Sequence, residues 1–201
     1  KDFDEYCVFS IPGWDTTIGY NSFNRFKFEY WDNKKNCFSL NSKFSYPKFT
    51  NITITYDRAS RSIQMYQDKK LIEEQTIRRS FLDTKKAWAY LGIADRREND
   101  TKSFRGFINE FAYWDKPLQR NEVREIHQSQ GFSLLNSYEQ YNSSKNLKIY
   151  YDFKYIKLDK DYKYDTGKVL NLVTNDYDAR CINSIPKTIQ DIQSKTISIP
   201  A

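Results

Sequence analysis

The chain has 201 residues, with a net charge of +6 and 17% aromatic side chains, 16 Tyr and 14 Phe among them. That length suits one domain with a tail, or one domain and part of another, and suffices for a core without covalent staples. Six Gly and five Pro are too few for a collagenous or low-complexity chain, and three Cys are too few for a disulfide scaffold.

Basic residues are interleaved with acids, as between Arg58 and Lys86, which describes a solvated mixed surface. The doublets Arg78-Arg79, Lys85-Lys86 and Arg96-Arg97 are candidates for contact with an acidic glycan. No RRM, KH or zinc-finger pattern accompanies the charge, so nucleic acid is not an expected partner. No run of 18 apolar residues exists, and membrane insertion is not expected. The chain begins at Lys1 without a signal-peptide pattern, which suggests a mature product or an excerpt of a longer one.

In chain order, Tyr6–Ile11 alternates and is closed by Pro12-Gly13. Strands follow at Thr17–Tyr20, Arg25–Trp31 and, after DNKKN, Cys37–Leu40. NITITY (Asn51–Tyr56) puts Ile52, Ile54 and Tyr56 on one face. A turn at Asp57–Arg61 leads into Ser62–Tyr66, and QDKK turns back into Leu71-Ile72. Trp88–Ile93 is strand-like, and Phe104–Trp114 is the longest strand candidate.

The period then changes. Leu118, Val123 and Ile126 recur at helical spacing before Gly131, which predicts one short helix near 119–129. The Ser- and Asn-rich 132–145 suggests a linker. Asn146–Lys154, VLNLV and Thr196–Pro200 are further strand candidates. Many short strands with turn signals every 8–12 residues predict an all-β, two-sheet antiparallel sandwich.

Candidate sites are sparse. Cys7 and Cys37 lie in strand-like segments; a bridge between them and two buried free thiols are both open readings, and Cys181 stands apart. Sequons occur at Asn51, Asn99 and Asn142. Trp14 and Trp31 end strands and are the best-placed aromatics for stacking on a sugar, whereas Trp88 and Trp114 suit a core. A glycosidase needs two facing carboxylates. Glu110 and Asp115 are five apart and so point to opposite faces of a strand. The single His, His127, suits a helix C-terminus better than catalysis. Neither GxSxG, a phosphate loop nor a Cys/His cluster is present, so no enzyme activity is expected.

A resemblance sharpens this. TITYD (Thr53–Asp57), SIQMYQDKKLI (Ser62–Ile72), Leu91-Gly92 and FRGFINEFAYWDKPLQRNEVREI (Phe104–Ile126) are similar to the late strands of laminin-G and concanavalin A-like jelly rolls. Phe104, Gly106, Ile108, Glu110, Trp114, Leu118, Glu122 and Ile126 fall in register with that family's closing motif, over about residues 5–128. Phe49 stands where a Trp is usual, and Asp68-Lys69 where Asp-Gly is usual, so that hairpin should differ from type I′.

The resemblance implies a jelly roll over 1–131. The tail at 146–201 resembles the family's opening strands, either completing the same sandwich or starting a next repeat. It implies a non-catalytic binding or adhesion module of a larger extracellular or cell-surface protein, its rim loops engaging a glycan or a protein. A structural repeat that self-assembles into a filament or coat is the alternative; a carbohydrate-active enzyme or a toxin receptor-binding domain stands behind both. Some relatives hold calcium at the rim through Asp and carbonyl oxygens. Here Asp57, Asp95 and Asp100, with Asn99, are the candidate ligands; no other cofactor is implied.

Overall fold

A computed structural model describes residues 5–11, 16–21, 25–31, 37–43, 49–77, 90–91, 108–128, 133–153, 156–158, 167–174, 176 and 179–180; in several strands it describes the backbone alone. The chain divides into two compact units. One holds residues 1–106 and 117–130, the other 107–116 and 131–201.

The first unit contains two antiparallel sheets. β1 (Glu5–Ile11), β2 (Thr16–Asn21), β3 (Arg25–Trp31) and β4 (Cys37–Lys43) form a meander, and β8 (Tyr90–Leu91) adds to the free side of β1. The second sheet is the meander β5 (Ile52–Asp57), β6 (Ser62–Gln67) and β7 (Lys70–Thr76). The expected all-β sandwich with one short helix is what forms.

The alternation read in NITITY sets the inner face. Ile54 lies opposite Met65 and Tyr56 opposite Ile63, and directly opposed residues share a face. Ile63 and Met65 are fully buried and cluster with Ile77 and with Phe28 of β3, while Ile52, Ile54 and Tyr56 pack against them. Burying each such side chain contributes roughly 1.5–3 kcal/mol.

The other face of β5–β7 is polar and connected. Tyr66 Oη donates to Gln64 Oε1 at 2.7 Å, Gln64 Nε2 donates to Glu74 Oε1 at 2.9 Å, and Ser62 Oγ donates to the same oxygen at 2.6 Å. The helix α1 (Arg120–Gln128) belongs to the same unit. The charges of Arg120 and Arg124 act on Tyr66, and His127 Nδ1 lies 3.9 Å from Asp68 Oδ1. Leu118 and Val123 are buried and Ile126 half-buried, as their spacing requires.

Glu122 is also buried, because its carboxylate turns back to accept from the Gln119 N–H at 2.8 Å. That is the returning half of a capping box, with Gln119 just before the helix and Glu122 at its third position.

Both hairpins of the small sheet use a left-handed residue. In the β6–β7 loop Asp68 has φ 55° and Lys69 does not share the positive sign, so the turn departs from type I′ as expected. Asp68 is held there by Asn51, whose N–H donates to its carboxylate at 3.0 Å and whose C=O accepts its N–H at 2.8 Å. In the β5–β6 loop Arg61 has φ 56° and its C=O accepts from Ile77 N–H at 2.9 Å.

In the second unit β9 (Glu110–Trp114) pairs antiparallel with β10 (Leu147–Asp152), and β11 (Ile156–Leu158), β12 (Gly167–Val169) and β13 (Ala179–Arg180) form a small sheet. Four expectations are revised here. The strand expected over Phe104–Trp114 begins at Glu110 among the described residues, and it clusters with the tail rather than with residues 1–106. The stretch 132–145 is not a bare linker. Leu134 and Tyr141 are buried, Tyr138 and Tyr141 pair as a tight hairpin, and Ser143–Asn146 makes a 3-10 turn. Trp114 is half-buried rather than fully in the core. Finally, Cys7 lies on β1 and Cys37 on β4, three strand spacings away in the order β4-β3-β2-β1. At about 4.8 Å per spacing that is about 14 Å, twice the reach of a disulfide between Cα atoms, so the Cys7–Cys37 bridge is withdrawn. Cys181 and Thr196–Pro200 lie outside the described residues.

Candidate functional site

The most distinctive surface in the described residues lies on the β9–β10 ladder. Phe111 pairs directly with Tyr151 and their rings stack at 5.9 Å and 23°. Two residues on, Tyr113 pairs with Ile149 and so shares that face, yet is 50% exposed. Asp115 continues the same alternation. Its N–H donates to Asn146 C=O at 3.0 Å, its Oδ2 lies 3.1 Å from Lys148 Nζ, and its Oδ1 accepts from Asn146 Nδ2 at 3.1 Å. The register shift between Leu147 and Ile149 brings Lys148 to this partner.

The result is an exposed phenol ring between an aromatic stack and a polar trio of exposed Asp115 and Lys148 with half-buried Asn146. The hydrogen bond from Lys148, then that from Asn146, holds the Asp115 carboxyl below the usual carboxylate range. An apolar ring face flanked by charged and amide groups suits a ligand with alternating C–H and O–H surfaces.

Beneath it the scaffold is rigidly bonded. Tyr141 is fully buried; its Oη accepts from Trp114 Nε1 at 3.0 Å and donates to Leu134 C=O at 3.0 Å. Buried Asn171 closes the far edge of β10. Its Oδ1 accepts from Tyr150 N–H at 3.0 Å and Val173 N–H at 3.2 Å. Its Nδ2 shares two hydrogens among three acceptors, Lys148 C=O at 3.1 Å, Thr174 Oγ1 at 3.1 Å and Asp176 C=O at 2.9 Å. One amide thus replaces a length of paired strand.

The sequence-derived candidates fare differently. Trp14, Arg78, Arg79, Arg96, Arg97, Asp95, Asn99 and Asp100 lie outside the described residues, and Trp31 is described only as the last backbone position of β3. Asp57, a candidate calcium ligand, organises the β5–β6 turn. Its carboxylate accepts from Ser60 Oγ and from Ala59 N–H, each at 2.9 Å, and these bonds lower its pKa, Ser60 foremost. Among the described residues no three potential ligands gather.

Asn51 and Asn142 are exposed. Glu110 opens β9 and Asp115 lies one residue past its end, about 16 Å apart at 3.3 Å per residue, whereas a glycosidase pair is roughly 5–10 Å apart. Strand alternation puts Tyr113 on the same face as Phe111, and nothing local in the sequence shows that its ring stays half-exposed.

Two antiparallel sheets in the first unit, together with the sequence register of Phe104–Ile126, mark a jelly-roll class of protein. The model of the concanavalin A-like lectin/glucanases superfamily matches residues 4–124, 121 of the 201 positions, and the chain belongs to that family. No curated protein matches it. A solved structure similar to it is an S-layer domain-containing protein (residues 221–444) from Clostridium thermocellum ATCC 27405. Identity is 15% over 58% of this chain and 59% of that one, with a TM-score of 0.34, too slight a likeness to carry argument. No described helix is long and apolar enough to cross a membrane.

Proposed function

We propose that this chain is a non-enzymatic binding module of a larger extracellular or cell-surface protein, and that its ligand is a glycan taken at the Tyr113 surface. Membership of a family that includes lectins supports the class. The observation that carries the reading is the half-exposed Tyr113 ring set beside Asp115, Asn146 and Lys148. A sugar ring stacks its C–H face on such a phenol while its hydroxyls meet the carboxylate, amide and ammonium.

Three other described carboxylates have structural tasks. Asp57 holds a turn, Glu74 holds Ser62 and Gln64, and Glu122 holds the helix start.

A glycan array with the whole chain tests the proposal, alongside Tyr113→Ala and Asp115→Ala. Saccharide binding that falls at least tenfold in each variant, with thermal stability kept, supports it. Binding that is unchanged in both variants, or capture of proteins but no saccharide, overturns the assignment of ligand and site. Release of reducing sugar from a bound oligosaccharide overturns the non-enzymatic reading.

A further inference from the structure

We infer that Asn51 is an N-glycosylation site and that its glycan covers the end of the small sheet formed by the Asp68–Lys69 hairpin. The inference rests on the extracellular reading, since the modifying machinery belongs to the secretory route. In the step concerned, Nδ2 of Asn51 forms a C–N bond to the anomeric carbon of a lipid-pyrophosphate-linked oligosaccharide. The anomeric C–O bond breaks, the lipid pyrophosphate leaves, and one amide proton is lost to base.

Three sequons exist, but they are not equivalent. Asn51 is exposed, and both its backbone groups are fixed to Asp68: N–H to Oδ1 at 3.0 Å and C=O from N–H at 2.8 Å. Thr53 Oγ1, the hydroxyl of the sequon, donates to Asn51 Oδ1 at 2.9 Å. A glycosylated amide keeps its carbonyl and its backbone groups, so all three bonds survive the attachment.

At Asn142 the surroundings differ. Ser143 is buried and Ser144 Oγ is bonded to Ser137 Oγ at 2.7 Å, so the sequon hydroxyl is engaged in a neighbouring turn. Asn99 lies outside the described residues.

A bulky, hydrated glycan at Asn51 would screen Asp68, Lys69 and the His127 side chain close to Asp68. That end of the sheet is therefore not where a macromolecular ligand docks.

The test is expression of the full chain behind a signal peptide in a glycosylating eukaryotic host, comparing wild type with Asn51→Gln, Thr53→Ala and Thr53→Ser. The expected result is an endoglycosidase-sensitive mass on the peptide bearing Asn51. It should be lost in Asn51→Gln and Thr53→Ala and kept in Thr53→Ser, with the same melting temperature for Asn51→Gln as for deglycosylated wild type. Secreted wild-type protein with Asn51 unmodified overturns the site and leaves the extracellular reading intact. Protein glycosylated at Asn51 but retained in the cell supports the site and counts against that reading. Retained, unmodified protein overturns both.

Discussion

Replacing Asn171 by Asp changes one group, the NH2 of a buried amide, for an oxygen of nearly the same size. The amide orientation is fixed by its neighbours, since Oδ1 faces the N–H groups of Tyr150 and Val173 while Nδ2 faces the carbonyls of Lys148 and Asp176. In the variant those two carbonyls lose their donor and meet a carboxylate oxygen instead. Both bonds are only partly buried, and an acceptor left unsatisfied costs about 1–3 kcal/mol when it is fully buried, so a loss of about 2 kcal/mol is expected near neutral pH.

The loss should depend on pH. The new carboxyl is buried against acceptors, so its folded pKa stands above the unfolded value near 3.9. The penalty is therefore smallest below about pH 4, where the protonated acid supplies one O–H donor. It grows as pH rises through the folded pKa, by about 1.4 kcal/mol per unit of elevation, and then levels off. Urea unfolding from pH 4 to 8, with Asn171→Ala as a control whose penalty is flat in pH, reads both features. A loss under about 1 kcal/mol, or one that does not change with pH, would refute the claim that this amide holds the edge of β10.

Two further outcomes follow from the same bonding. Tyr141→Phe removes only the hydroxyl that links Trp114 Nε1 to Leu134 C=O, and a loss of about 2 kcal/mol in urea unfolding is expected, with the Trp fluorescence spectrum shifted. Stability should also fall at both pH extremes. The carboxyls of Asp57, Glu74 and Asp115 have pKa values lowered by their hydrogen-bond partners, so the stability they contribute is present above their unfolded values near 4 and is lost as pH falls through the folded ones. Burial raises the Tyr66 phenol, so its contribution is present below pH 10, its ordinary value, and is lost as pH rises through the higher folded one. Glu74→Gln should blunt the acid limb and Tyr66→Phe the alkaline limb; unchanged denaturation profiles would contradict these assignments.

Local pattern determined much of this protein. Period-two alternation in NITITY and SIQMY placed Ile52, Ile54, Ile63 and Met65 on one face, and helical spacing placed Leu118 and Val123 inward, because side-chain direction follows from backbone period alone. The closing motif was legible for the same reason. It joins an alternating strand to a helix whose third-position Glu122 has a fixed local job.

What the tertiary structure alone decided was which distant segments meet. The partner of β9 is β10, more than thirty residues on, and nothing local in Glu110–Trp114 names it. Tyr141 lies in a polar stretch that composition assigns to a linker, yet it is fully buried because Trp114 and Leu134 converge on its hydroxyl. Cys7 and Cys37 are set apart by strand order, Asn171 becomes an edge only beside Tyr150, and Tyr113 is exposed only because nothing described covers its ring. Strand pairing is a free-energy balance over the whole chain, so residue spacing fixes which way a side chain points but not what it will find there.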